Sequence, residues 1–198
     1  MIKLAKYAMI AAIALSMGAC ASIQLAPAGA YQAGSYSVNL GSDWNAIPIK
    51  TGKRKKASLL TKDGQLLNAV YLFSDLEAGD SLLRERRKEN PVPKFDTDLS
   101  DLELVEFLVD SLVKAGAYAG VATQNVRPDS FNGEDAIRFE LSGNTKAGLN
   151  VEGSALMSVI DEKLNIILFM APSEYYASKD RADIDGIFNS VAAGRGIG

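Results

Sequence analysis

Ser100-Asp101-Leu102-Glu103-Leu104-Val105-Glu106-Phe107-Leu108-Val109-Asp110-Ser111-Leu112-Val113-Lys114-Ala115-Gly116 is the stretch on which the architecture turns. Ser100 and Glu103 form a capping box: the serine accepts the third helical N–H and the glutamate reaches back to the serine backbone. Leu102, Val105, Leu108, Val109, Leu112 and Val113 then fall within one wide stripe at 100° per residue. Gly116 is a natural stop, because the residue after a helix commonly takes a left-handed backbone. The predicted helix over 101–115 stands between two halves that read as strands, so what flanks it decides the class.

Ahead of it, 36–40 alternates, and 44–49 follows the turn Gly41-Ser42-Asp43. Segments 57–61 and 66–73 flank Lys62-Asp63-Gly64, a hairpin signal. Leu67, Ala69, Tyr71 and Phe73 mark one face of the later segment and Leu66, Val70 and Leu72 the other, which predicts a central strand. Residues 80–99 are charged and Pro-rich, read as a short helical piece over 81–89 that ends at Asn90-Pro91-Val92-Pro93. Past the helix, 121–127 reads as a strand broken by Pro128, and Phe131-Asn132-Gly133 turns into 136–141, where Ile137, Phe139 and Leu141 alternate with Arg138 and Glu140. A second long hairpin joins 149–160 to 164–171 around Asp161-Glu162-Lys163. A final helix over 179–192 carries Ile184, Ile187, Phe188 and Val191 at i, i+3, i+4 and i+7. Hairpins dominate, so the expected fold is α+β, a largely antiparallel sheet with helices packed on it.

The chain has 198 residues, one cysteine and no histidine, with 21 basic and 24 acidic side chains for a net charge of −3. That length suits one domain with a real core. A lone cysteine rules out an internal disulfide, so burial of apolar surface must hold the fold. The mild acidity offers no basic footprint for nucleic acid, and no nucleic-acid partner is expected. Without histidine, a reactive cysteine or Gly-x-Ser-x-Gly, the usual nucleophile–base arrangements are missing, and no catalytic residue, cofactor or metal is expected.

Two patterns invite chemistry and are better explained by structure. Asp96, Asp98, Asp101 and Glu103 cluster, but a calcium loop wants a central glycine, and acidic residues suit a helix N-terminus. Ser111-x-x-Lys114 matches the Ser-x-x-Lys of penicillin-recognising enzymes. Its would-be partners, Ser142-Gly143-Asn144 and Lys146-Ala147-Gly148, lie almost side by side rather than on separate elements. A mechanism on paired carboxylates stays open, since any two acids can meet in space.

The N-terminus speaks to location. Lys3 and Lys6 precede an apolar run over 7–15, then Ser16-Met17-Gly18-Ala19-Cys20. This is the layout of a secretory signal, too short to span a bilayer. Ending in Met17-Gly18-Ala19-Cys20, it resembles the signal of bacterial lipoproteins, with methionine where leucine is usual. The resemblance implies removal of 1–19 and acylation of Cys20, with palmitate among the lipids. Ala21, rather than aspartate, is by analogy the pattern sent to an outer membrane. Ordinary cleavage at Ala19-Cys20-Ala21, Ala26-Pro27-Ala28 or Ala28-Gly29-Ala30 is the rival. Residues 20–34 read as the lipidated cysteine and a flexible Ala- and Gly-rich tether, 35–193 as a single domain, and 194–198 as a flexible tail.

Five cations among seven residues, Lys50, Lys53, Arg54, Lys55 and Lys56, are expected to lie in a loop or strand edge. Arg84, Arg86, Arg87 and Lys88 form a second basic run. Both suit a solvated face; beside a membrane, the first could also meet anionic headgroups, each charge contributing about 1 kcal/mol.

In its element order the chain resembles the PsbP-like superfamily, which includes an extrinsic photosystem II subunit, a Ran-binding import factor and small bacterial envelope lipoproteins. The resemblance rests on the strand–turn–Trp44 segment, the Leu59-Leu60-Thr61-Lys62-Asp63-Gly64 hairpin and the helix over 101–115. Phe131-Asn132-Gly133-Glu134-Asp135-Ala136-Ile137-Arg138-Phe139-Glu140 and the last hairpin entering a helix through Ala171-Pro172-Ser173 continue it. It covers about 36–192 and transfers no site residue. It implies a non-catalytic assembly, stability or adaptor factor; with the N-terminal anchor, the short tether and the missing catalytic constellation, the expected protein is a membrane-anchored envelope lipoprotein facing the periplasm that binds or stabilises a protein partner. A carrier of an apolar ligand, or a carboxylate-based hydrolase, are the alternatives.

Overall fold

Two tight turns build the largest hairpins. Asn132 and Gly133 both take positive φ (55° and 88°), as do Asp161 and Glu162 (49° and 60°), so each pair makes a two-residue turn whose twist matches its strands. A computed structural model describes residues 23–49, 57–84 and 89–194. The strands are β1 (Gln24–Ala26), β2 (Gly29–Ala33), β3 (Tyr36–Leu40), β4 (Trp44–Pro48), β5 (Ala57–Thr61) and β6 (Ala69–Leu76), then helix α1 (Asp101–Lys114). After it come β7 (Ala119–Phe131), β8 (Glu134–Asn144), β9 (Asn150–Ile160), β10 (Lys163–Pro172), α2 (Tyr176–Lys179), α3 (Arg181–Asn189) and β11 (Ala192–Ala193). The fold is α+β, with a large antiparallel sheet and a few helices, as the sequence predicts.

Eight strands form one sheet in the order β1-β4-β5-β6-β10-β9-β8-β7, and three form another in the order β11-β3-β2. Each face of the large sheet has its own core. On one, Phe73, Ile137, Phe139, Met157, Ile166 and Leu168 pack against α1 and against Leu82 and Phe95 of the chain before it. On the other, Trp44, Leu60, Val70, Leu72, Ile167 and Phe169 meet Tyr36, Val38 and Leu40 of the small sheet and Ile184, Ile187 and Phe188 of α3. The central strand β6 is buried on both faces, as expected, but it starts at Ala69; Leu66 belongs to the preceding loop.

Several expectations need correction. The tether does not run to residue 34: 24–26 pairs with β4 and 29–33 pairs with β3. Small residues disguise these strands, yet they let the β2–β3 turn press on the large sheet. At Gly34 (φ +70°) a Cβ would fall 1.8 Å from the Ser74 hydroxyl oxygen. α1 buries Leu104, Val105, Phe107, Leu108, Ser111 and Leu112, while Leu102 is 66% exposed and Val113 also faces solvent. The predicted stripe is turned about the helix axis: the buried arc centres on Leu104, Leu108 and Leu112 and takes in Leu104 and Phe107, which the stripe leaves out, while Leu102 and Val113 fall on its far side. β7 runs through Pro128, tolerated because β7 is an edge strand, at the opposite edge of the sheet from β1. Residues 81–84 are not helical, and the last helix breaks at Asp180, which caps α3, with 192–193 paired to β3. Within the expected tail, the Gly194 N–H donates to the Ser35 carbonyl.

The register sorts the loops into two ends. β5 reaches the 62–68 loop as β10 reaches 173–180, since Leu60 stands opposite Val70 and Met170 opposite Ala69. At the other end, β4 leaves the described structure at Ile49. The pairing of Gln24 with Ala46 brings Ile23 level with Ile47, so the chain also enters there.

Candidate interaction surface

Loop 62–68 is held from within by one side chain. Asn68 is fully buried, and its carbonyl oxygen accepts from the Thr61 hydroxyl (2.9 Å) and from the Lys62 and Asp63 N–H groups (both 3.0 Å). Its amide donates to Asp63 and to the buried Asp180, both at 2.8 Å. The loop also closes on itself, with the Leu67 and Asn68 N–H groups donating to the Gly64 carbonyl. Gly64 has φ +116° and open space where a Cβ would sit, so backbone conformation rather than crowding asks for glycine.

Charges fasten this loop to the start of α3. The Lys62 ammonium pairs with Asp183, lies 3.8 Å from Asp180, and sits 4.7 Å from the centre of the Trp44 ring. Lys179 donates to Asp63 at 2.7 Å and lies 5.8 and 5.3 Å from the rings of Tyr175 and Tyr176. The Lys179 hydrogen bond holds the Asp63 carboxyl below the usual range, and the Lys62 hydrogen bond does the same for Asp183. On this frame Leu66 is 79% exposed and Tyr175 59%.

Clefts among the described residues are lined by charge. One, of about 170 Å³, lies between β7–β9 and α3 and holds Arg127, Arg138, Arg181, Glu140, Glu152 and Asp185. Arg138 is committed: it pairs with Asp185 and its guanidinium carbon lies 4.8 Å from the centre of the Phe188 ring. A cleft of about 450 Å³ beside the start of α1 carries Asp101, Asp129 and Asp135. Another, of about 310 Å³, carries Asp75, Asp161 and Lys163. Charged walls suit an apolar cargo poorly, since burying its surface would desolvate them.

Of the sequence-derived sites, Cys20, Lys50, Lys53, Arg54, Lys55 and Lys56 lie outside the described residues, as do Arg86, Arg87 and Lys88; Arg84 is exposed. Glu103 completes the capping box with Ser100, whose hydrogen bonds lower its pKa. Among the described residues no group of acids is arranged to hold a metal. Ser111 is buried, and Lys114 turns to Asp110 at 2.6 Å, so the two form no nucleophile–base pair. Sequence reasoning misses Asn68 and Asp180. The hairpin signal marks the neighbourhood of Asn68, but nothing local tells a buried asparagine from a solvated one, and nothing links it to Asp180.

No protein-family model matches the chain, and no curated protein does. Solved structures do. The cyanobacterial PsbP, CyanoP, from Synechocystis sp. PCC 6803 is 9% identical, with a TM-score of 0.54 over 90% of this chain and 96% of that one. LpqN, involved in cell envelope biogenesis of Mycobacterium tuberculosis, is 8% identical, with a TM-score of 0.37 over 90% of this chain and 88% of that one. The likeness to CyanoP shows the PsbP-like fold.

Proposed function

We propose that this protein is an envelope lipoprotein, anchored through an acylated Cys20 to an outer membrane and facing the periplasm, that acts as a non-catalytic binding or assembly factor. The surface formed by 62–68 and 173–180 meets its protein partner. The observation that carries this is Leu66, 79% exposed on a loop fixed by an asparagine that is fully buried. An apolar side chain left in water on a rigid frame is what a preorganised contact needs, because little entropy is lost when a partner covers it. The anchor is supported by the Lys3–Cys20 signal layout. It is supported too by β1, which begins at Gln24, close behind Cys20, and so keeps the domain near the bilayer. The basic run Lys50, Lys53, Arg54, Lys55 and Lys56 would meet anionic headgroups, since the chain leaves Ile49 at the same end of the sheet as Ile23.

Cys20→Ala should move the protein from the membrane to the soluble fraction. Wild-type protein already soluble after gentle lysis, or a mature N-terminus beyond residue 20, would refute the anchor. For the surface, a photo-crosslinking residue at 175 should give one discrete adduct in intact cells. Leu66→Asp should remove that adduct; its persistence, or no adduct at all, would reduce the surface to ordinary solvent exposure.

A further inference from the structure

Ile23 and Leu25 are 64% and 67% exposed, although both are large apolar residues at the start of the described residues. They flank Gln24 and so alternate onto one side of the strand, while Ala26 is buried on the opposite side in the core beneath the small sheet. Leu25 stands across from Asn45, and Ile23 comes level with the half-buried Ile47. β1 is an edge strand and only three residues long, so this corner of the sheet shows an apolar edge at the end where the chain enters.

We propose that Ile23 and Leu25 seat this edge in the apolar boundary of the bilayer, a second contact beside the lipid on Cys20. The inference rests on the anchor proposed above. Chain length identifies lipid as the occupant: the step from Cys20 to Ile23 spans at most about 10 Å when extended. Apolar side chains at a membrane surface sit about 5–10 Å into the headgroup and acyl boundary, within that reach. A lipid alone is a single point of attachment and leaves the domain free to swivel. The second contact fixes its orientation and turns the 62–68 end away from the membrane.

The test uses the full, lipidated chain reconstituted into vesicles whose acyl chains carry a quencher. Ile23→Cys, Gln24→Cys, Leu25→Cys and Leu66→Cys variants are each labelled with an environment-sensitive fluorophore. Positions 23 and 25 should be quenched severalfold more than 24, and 66 not at all. Equal quenching at 24 and 25 in vesicle-bound protein would overturn the proposal and leave the anchor standing. Protein that does not remain with the vesicles would overturn both. Because a fluorophore is itself apolar, a second measurement changes the residues instead: Ile23→Ser with Leu25→Ser should lower the anisotropy of a label at 66 while the protein stays bound. Unchanged anisotropy in that variant would also overturn it.

Discussion

Asn68 and Asp180, 112 positions apart, meet in a buried 2.8 Å hydrogen bond that joins the β5–β6 loop to the first residue before α3. The same carboxylate lies 3.8 Å from Lys62, so one buried acid ties together a loop, a helix start and a lysine stacked on Trp44. Buried polar groups of this kind cost stability unless every partner is present, which makes the cluster sensitive to single changes.

Asn68→Ala should destabilise the domain by at least about 3 kcal/mol. It leaves the Thr61 hydroxyl, two backbone N–H groups and Asp180 without their partner, each costing about 1–3 kcal/mol when buried. Asn68→Asp should be no better, because it sets a carboxylate against Asp180. Denaturant unfolding checks both, and a loss below about 1 kcal/mol would mean that the loop does not depend on this residue.

Acid should loosen the same end. The folded pKa values of Asp63 and Asp183 lie below the usual range, lowered first by hydrogen bonds from Lys179 and Lys62. A depressed folded pKa gives stability that is full above the unfolded value, about 4, and is lost as pH falls through the folded one. The effect therefore lies below about pH 4 and is absent between pH 5 and 7. Both carboxylates are about one-third exposed, so water screens both pairs, and Lys62 with Asp183 contributes no more than about 1 kcal/mol. Lys62→Met should shrink the acid-induced loss, and curves for wild type and variant that fall in parallel would show that the pair does not matter.

The two sides of α1 should answer differently to truncation. Leu108→Ala, at a fully buried position, should cost about 2–5 kcal/mol. Leu102→Ala, on the wet side, should stay within about 0.5 kcal/mol. Thermal or denaturant unfolding separates them, and equal losses would mean the helix is rotated from the arc described here.

The basic run should act through charge. An unlipidated domain for this test must begin near residue 21, since β1 and β2 belong to the sheets. It should bind anionic vesicles better than neutral ones at low salt, and the preference should fade as salt screens it. Changing Lys53, Arg54, Lys55 and Lys56 to Glu should abolish the preference. Equal binding to both vesicle types would return these residues to a plain solvated face.

Elements written by local chemistry are legible along the chain. The Ser100–Glu103 box placed α1, the Asn132-Gly133 and Asp161-Glu162 turns placed the long hairpins, and alternation through Ile137, Phe139 and Leu141 placed a strand, but the wet face expected at Arg138 is buried, because α3 brings Asp185 and Phe188 onto it. That order was enough for an antiparallel α+β fold. Whatever depends on distant partners emerges only in three dimensions. Residues 24–33 look like linker because small side chains bury little; they become strands only because Trp44 to Ala46 and Tyr36 to Leu40 lie ready to pair with them. Leu102 and Leu108 are both apolar residues on one helix, and which is covered depends on where the sheet stands. Asn68 and Leu66 sit two positions apart, one sealed and one bare, because Asp180 arrives from the far end of the chain to bury the first and nothing among the described residues covers the second.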